Sequence, residues 1–123
     1  MKRKLLAAAL LAVAPLGAAQ AMDVATFLAK ADALEKKGMM ALFSSDYKAL
    51  KAQIEADSQI LRNERLAAER AHKRAAYCPP AKPSLSSNEV LAAFRSIPPA
   101  QRARTDSKDA LRALLAHKYP CRA

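Results

Sequence analysis

The sequence predicts an all-α fold: a small single-domain bundle of about four helices, one of them long and charged, stapled by one disulfide. Three observations lead there. Ala, Leu, Lys, Arg and Glu dominate the composition, and these residues lose least on entering a helix. The 123 residues hold two glycines, no tryptophan and few β-branched side chains, which leaves little to build strands and their tight turns from. The chain has two cysteines, Cys78 and Cys121.

The first residues read as a cleavable secretory signal. Lys2, Arg3 and Lys4 make a charged head, Leu5 to Leu16 an apolar run, and Gly17-Ala18-Ala19-Gln20-Ala21 a small-residue cleavage site after Ala21. The run is shorter than the roughly 20 residues that a membrane span needs. No later segment is long and apolar enough to serve as one, so no membrane span is expected. Residues 1–21 are therefore assigned to the signal and 22–123 to one mature helical domain in the periplasm. Removing 21 of the 123 residues leaves 102, and the net charge falls from +10 to +7 because Lys2, Arg3 and Lys4 depart.

The apolar content overstates the core. The 102 residues hold 22 alanines but only 19 Leu, Ile, Val and Phe together. A small domain with so thin a core is marginal and benefits from a staple. In an oxidising compartment Cys78 and Cys121 have one intramolecular pairing open to them. It closes a loop of 44 residues, both ends counted. By loop-closure entropy, such a bridge is worth roughly 4 kcal/mol.

Along the chain, Asp23 is a good N-cap, and Val24, Phe27, Leu28, Ala31 and Leu34 follow at helical spacing. Lys36 and Lys37 suit the negative end of that helix, and Gly38 stops it. A short apolar stretch, Met39 to Phe43, leads to Ser44-Ser45-Asp46. The second helix should run from about Asp46 to Ala75, with no Gly or Pro inside and a length of roughly 45 Å. Tyr47, Leu50, Ile54 and Leu61 form its stripe. Asp57 and Glu64 fall on the same stripe, so its second half reads as a solvated arm. Glu69 and Lys73 are placed for an i,i+4 pair. Tyr77-Cys78-Pro79-Pro80 ends the helix.

Ser86-Ser87-Asn88-Glu89 is a capping box, opening a helix whose buried side is Val90, Leu91 and Phe94. Pro98-Pro99 break it. Thr105 or Asp106 caps the last helix, with Ala110, Leu111, Leu114 and Leu115 inward, and Pro120 ends it. The disulfide would tie the end of the long helix to the end of the last.

No catalytic constellation stands out. A Cys–His nucleophile needs a free thiolate, and pairing Cys78 with Cys121 removes both thiols. A metal site from His72, Cys78, His117 and Cys121 has unsuitable spacing, because Pro120 interrupts the second pair and five residues separate the first. The carboxylates sit beside basic partners, and residues 22–123 contain one glycine, too few for a phosphate loop. Neither cofactor nor metal is expected, and the protein is expected not to be an enzyme.

The positive charge is uneven: residues 82–123 carry +5 and residues 22–81 carry +2. Arg95, Arg102, Arg104, Lys108 and Arg112 are the densest cluster, the candidate site for steering an acidic protein partner. Export argues against nucleic acid as that partner. A homodimer would bury the rest of the long helix.

From Tyr77 onward a pattern emerges: an aromatic residue, Cys78-Pro79-Pro80, a capped helix with Val90, Leu91 and Phe94, a Pro-Pro turn followed by Arg102, and a helix ending in Tyr119-Pro120-Cys121. This section resembles the C-terminal half of the Rap/Tai immunity proteins, small periplasmic helical proteins of Gram-negative bacteria. The resemblance covers residues 77–121. It implies an all-α fold, a Cys78–Cys121 bridge, and inhibition of a secreted cell-wall amidase of type VI secretion by steric occlusion. Residues 46–75 depart from the family, whose members carry further cysteines there. The alternative reading is a periplasmic stress chaperone or a binder of envelope polyanions.

Overall fold

The computed structural model describes residues 21–122. The leader therefore lies outside the described residues, apart from Ala21. Among those residues the fold is all-α. Helix α1 spans Val24–Lys37, a 3-10 turn covers Gly38–Phe43, and α2 spans Ser45–Arg70. Then come α3 (Ser87–Arg95), α4 (Pro99–Arg102) and α5 (Ser107–Lys118). None of these helices is long and apolar enough to cross a membrane.

The expected start signals operate. Asp23 accepts from the Thr26 amide at 2.7 Å and from the Thr26 hydroxyl at 3.0 Å, and these bonds hold its carboxyl below the ordinary value. Gly38 ends α1 with φ 57° and ψ −131°, a conformation that a side chain strongly disfavours. The capping box of α3 is complete: the Glu89 amide donates to Ser86 Oγ at 3.1 Å, and the Ser86 amide to Glu89 Oε2 at 2.7 Å.

Pro98-Pro99 do more than break α3. Pro99 takes the first position of α4, where a missing amide hydrogen costs nothing. Neither Thr105 nor Asp106 caps α5 through its side chain: Thr105 Oγ1 donates to Gln101 O, and Asp106 holds the cap position without a side-chain bond. The reason is tertiary. Asp23 and Asp106 form an isolated antiparallel bridge, in which the Ser107 amide donates to Met22 O and the Val24 amide to Thr105 O. The chain entering α1 thereby satisfies an orphan donor of α5.

The core gathers Val24, Phe27, Leu28 and Ala31 from α1, Leu50 and Leu61 from α2, Val90 and Phe94 from α3, and Ala110 and Leu111 from α5, with Tyr77 from the loop. Phe27 and Phe94 meet edge to face, centroids 4.9 Å apart. This is the favourable aromatic geometry, and it locks α1 to α3.

Helix α2 departs from expectation in two ways. It begins at Ser45 behind a Ser44 cap and ends at Arg70, five residues short of Ala75. His72 adopts φ 54°, its amide donates to Glu69 O, and the Lys73 amide donates to Ala68 O. These are the two bonds of a Schellman stop, with histidine where glycine is usual. The Glu69–Lys73 pair therefore does not form, and Glu69 pairs with Arg65 at 3.1 Å.

Nor does the stripe fade at Asp57. That residue is buried, accepting from Gln53 Nε2 at 2.9 Å and from Ser107 Oγ at 2.5 Å. Beyond it Leu61 is buried, and Glu64 grips Arg112 of α5 at 2.9 Å. The solvated arm is thus confined to residues 62–70, none of which is buried, because α5 lies along the earlier part of α2 and supplies a partner to Asp57.

Candidate functional site

Cys78 and Cys121 are joined, with Cα atoms 4.9 Å apart, an ordinary disulfide span. Such a bond is the chemistry of an oxidising compartment. The Cys78 amide also donates to Tyr119 O at 2.8 Å, and Arg74 Nη2 to Cys121 O at 3.3 Å. Two chain ends are clamped here, one leaving α2 and one leaving α5.

Beside this clamp opens a cleft of about 470 Å³. Arg62 and Arg65 come from α2, Tyr77, Pro79 and Pro80 from the segment after it, and Leu115 and Tyr119 from the end of α5. The Tyr119 hydroxyl is held in place: it donates to Ser84 O at 3.0 Å and accepts from the Ser84 amide at 3.0 Å, and the accepted amide hydrogen lowers its pKa from the ordinary phenol value. Lys118 closes the same corner by reaching Ser84 O at 2.6 Å and Glu89 Oε1 at 2.7 Å. The Lys118 ammonium and the Ser86 amide together press the Glu89 carboxyl down to about 2.

Arg65 lies over the Tyr77 ring, 5.7 Å from its centroid, and its Nε is buried with no hydrogen-bond partner. Arg62 is exposed and makes no ion pair among the described residues. The cleft therefore combines an apolar floor, two tyrosine rings and a guanidinium rim. Tyrosine and arginine are the residue types that dominate protein-binding hot spots. Three distant stretches build it, so no local signal marked it. The hints were Arg62 and Arg65 one turn apart and the prolines at 79, 80 and 83.

The predicted basic cluster has other duties. Arg95 Nη2 holds Asp32 at 3.1 Å and Glu35 at 2.6 Å, tying α3 to α1. Arg102 donates to Ile97 O at 2.8 Å and Arg95 O at 2.7 Å, closing the end of α3. Arg112 binds Glu64 at 2.9 Å and Asp109 at 2.7 Å. Arg104 reaches only a backbone carbonyl, Ala100 O at 3.4 Å, and Lys108 makes no ion pair among the described residues. Three of the five thus work inside the fold, while Arg104 is exposed and Lys108 half-buried.

The cysteines and histidines weighed in the sequence lie outside the cleft lining. Both sulfurs are bonded to each other. His72 sits on the turn after α2, while His117 lines a second cavity between α3 and α5 with Glu89, Ile97 and Leu114. Among the described residues no three His, Cys, Asp or Glu converge as a metal site would require. Comparison with family models, with curated proteins and with solved structures finds no match to the chain.

Proposed function

We propose that the chain is an exported, immunity-like binding protein that blocks a secreted peptidoglycan amidase by occupying its surface. One observation carries this reading: a cleft beside the Cys78–Cys121 bridge takes its two tyrosines and its prolines from residues 77–121, the section that resembles the Rap/Tai immunity proteins, and its arginine rim from Arg62 and Arg65 of α2, outside that section. The bridge and the Tyr119–Ser84 bonds hold the cleft walls before a partner arrives, which lowers the entropy lost on binding. An acidic or aromatic segment of the enzyme suits the guanidinium rim, the Tyr77 ring and the proline floor. The signal at residues 1–21 delivers the protein to the periplasm, where the bridge forms and the substrate of such an amidase lies.

The test is a cell-wall turnover assay. Purified peptidoglycan amidases delivered by type VI secretion are mixed with the oxidised protein, and muropeptide release is followed. Inhibition at one-to-one stoichiometry is expected for a cognate enzyme. Undiminished turnover across the panel, even at micromolar excess, removes the immunity reading. The alternative, a periplasmic chaperone or polyanion binder, is favoured by a different feature: the apolar residues left exposed between α1 and α2.

A further inference from the structure

The turn joining α1 to α2 carries Met39, Met40, Leu42 and Phe43, and all four are exposed, Met39 at 83% and Phe43 at 80%. A chain with so few large apolar side chains places four of them in water, side by side, at the end of a helical hairpin. The turn packs only on α1 and α2, and no other described element covers it. Exposed apolar residues scattered singly need no explanation, but a contiguous group marks a contact surface.

The charge around the turn says what kind of contact. Lys36, Lys37, Lys48 and Lys51 lie within two helical turns of it, all exposed and none in an ion pair among the described residues. Lys37 Nζ reaches Ser44 Oγ at 3.3 Å, which brings its ammonium to the base of the tip. The carboxylates nearest the tip are already engaged, Asp46 with Lys30, and Asp32 and Glu35 with Arg95. Glu55, unpaired among the described residues, lies a turn beyond Lys51, farther from the tip. Tyr47, one turn into α2, is also exposed. The result is an apolar point inside a ring of uncompensated ammonium groups, with a tyrosine at the collar.

We propose that this tip docks on an anionic lipid bilayer, with Met39, Met40, Leu42 and Phe43 entering the boundary between headgroups and acyl chains. The lysines meet the lipid phosphates, and their methylene stems lie along the apolar layer. Tyr47 sits at headgroup level, where amphipathic rings accumulate. The cleft stays free in this arrangement. Its nearest α2 residue, Ser58, is 14 residues beyond Ser44, or about 21 Å along the helix. The inference does not rest on the amidase reading, and either can fail alone.

The absence of tryptophan gives a local test. Phe43→Trp puts a single indole at the tip of the protein purified from cells expressing the full chain. Vesicles of phosphatidylglycerol and phosphatidylethanolamine are then added, some with brominated acyl chains. The expected result is a blue-shifted emission that the brominated lipid quenches, with partitioning at least about tenfold weaker in 0.5 M than in 0.05 M NaCl, because the Debye length shrinks severalfold. In the otherwise unaltered chain, Met39→Ser with Phe43→Ser should lower vesicle binding at least about tenfold without changing helicity, as both residues are exposed and their loss uncovers no core. A water-like emission spectrum with these vesicles overturns the proposal. So does equal insertion into pure phosphatidylcholine, which would show that the lysine ring is idle. A Phe43-dependent dimer that excludes vesicles also overturns it, assigning the tip to a second copy of the chain.

Discussion

Replacing Ser107 by alanine should cost far more than the loss of one hydroxyl suggests. Ser107 is 1% exposed and Asp57 is 3% exposed, and the serine hydroxyl donates to Asp57 Oδ2 at 2.5 Å. Ser107→Ala leaves that carboxylate oxygen buried without its donor. A hydrogen bond to a charged group contributes about 1.5–3 kcal/mol, and for a domain of this size about 2 kcal/mol corresponds to a fall in Tm of roughly 10 °C. Asp57→Ala strips the acceptor from both Ser107 and Gln53 and leaves a small void, for about 3–5 kcal/mol. Asp57→Asn should cost less, because the serine hydroxyl can rotate and the Gln53 amide keeps an oxygen to bond. The assay is thermal unfolding by circular dichroism on the two single variants and the double. The double variant should lose clearly less than the sum of the singles, since both remove the same bond. A Ser107→Ala protein melting within 2 °C of the parent (about 0.5 kcal/mol or less), or strict additivity, would refute the buried network as the link between α2 and α5.

Three other outcomes follow from the same structure. Cys78→Ala, or reduction of the parent protein, should lower stability by roughly 4 kcal/mol by chemical denaturation, with the loss spread over both chain ends that the bridge joins. His72→Gly should raise stability by up to about 1 kcal/mol in the same assay, since glycine takes positive φ without the penalty a side chain brings; a loss would mean the turn after α2 is held by His72 itself. Glu89 sets an acid dependence. Its folded pKa, about 2, lies below the ordinary 4.5, so its contribution is present above 4.5 and is lost as the pH falls toward 2. Melting curves between pH 6 and pH 2.5 should therefore decline less steeply for Glu89→Gln than for the parent.

What the sequence made legible was whatever is decided within a few residues. Asp23 and Gly38 bracket α1, and the Ser86–Glu89 box opens α3, because caps act over three or four positions. The end of α2 escaped because its stop is a Schellman turn built on His72, without the glycine that normally advertises one. Asp57 read as a break in the apolar stripe because its partner, Ser107, lies 50 residues away. Arg95 and Arg112 read as surface charge for the same reason: their acceptors on α1 and α2 become neighbours only in the fold, whereas Arg102 turns back onto carbonyls five and seven residues earlier through the Pro-Pro turn. The cleft needed three separate segments, and the arginine pair and the prolines that hint at it do not show that they meet. The apolar character of Met39–Phe43 was plain, but its exposure was not, since that depends on the rest of the bundle leaving the hairpin end uncovered.

The central claim is that the chain works by binding a hydrolase through the cleft beside its disulfide. The direct measurement is the Kd of an inhibited amidase for the parent protein and for three charge reversals, Arg62→Glu, Arg104→Glu and Lys108→Glu, by titration calorimetry. Arg62 is exposed and unpaired among the described residues, so its reversal should leave the melting temperature intact. The account predicts that Arg62→Glu weakens binding by about thirtyfold or more, the scale of a hot spot, while the other two change it only a few-fold. Parent-like affinity in Arg62→Glu, with the loss falling on Arg104→Glu or Lys108→Glu, would contradict it and return the binding face to the basic cluster between α3 and α5.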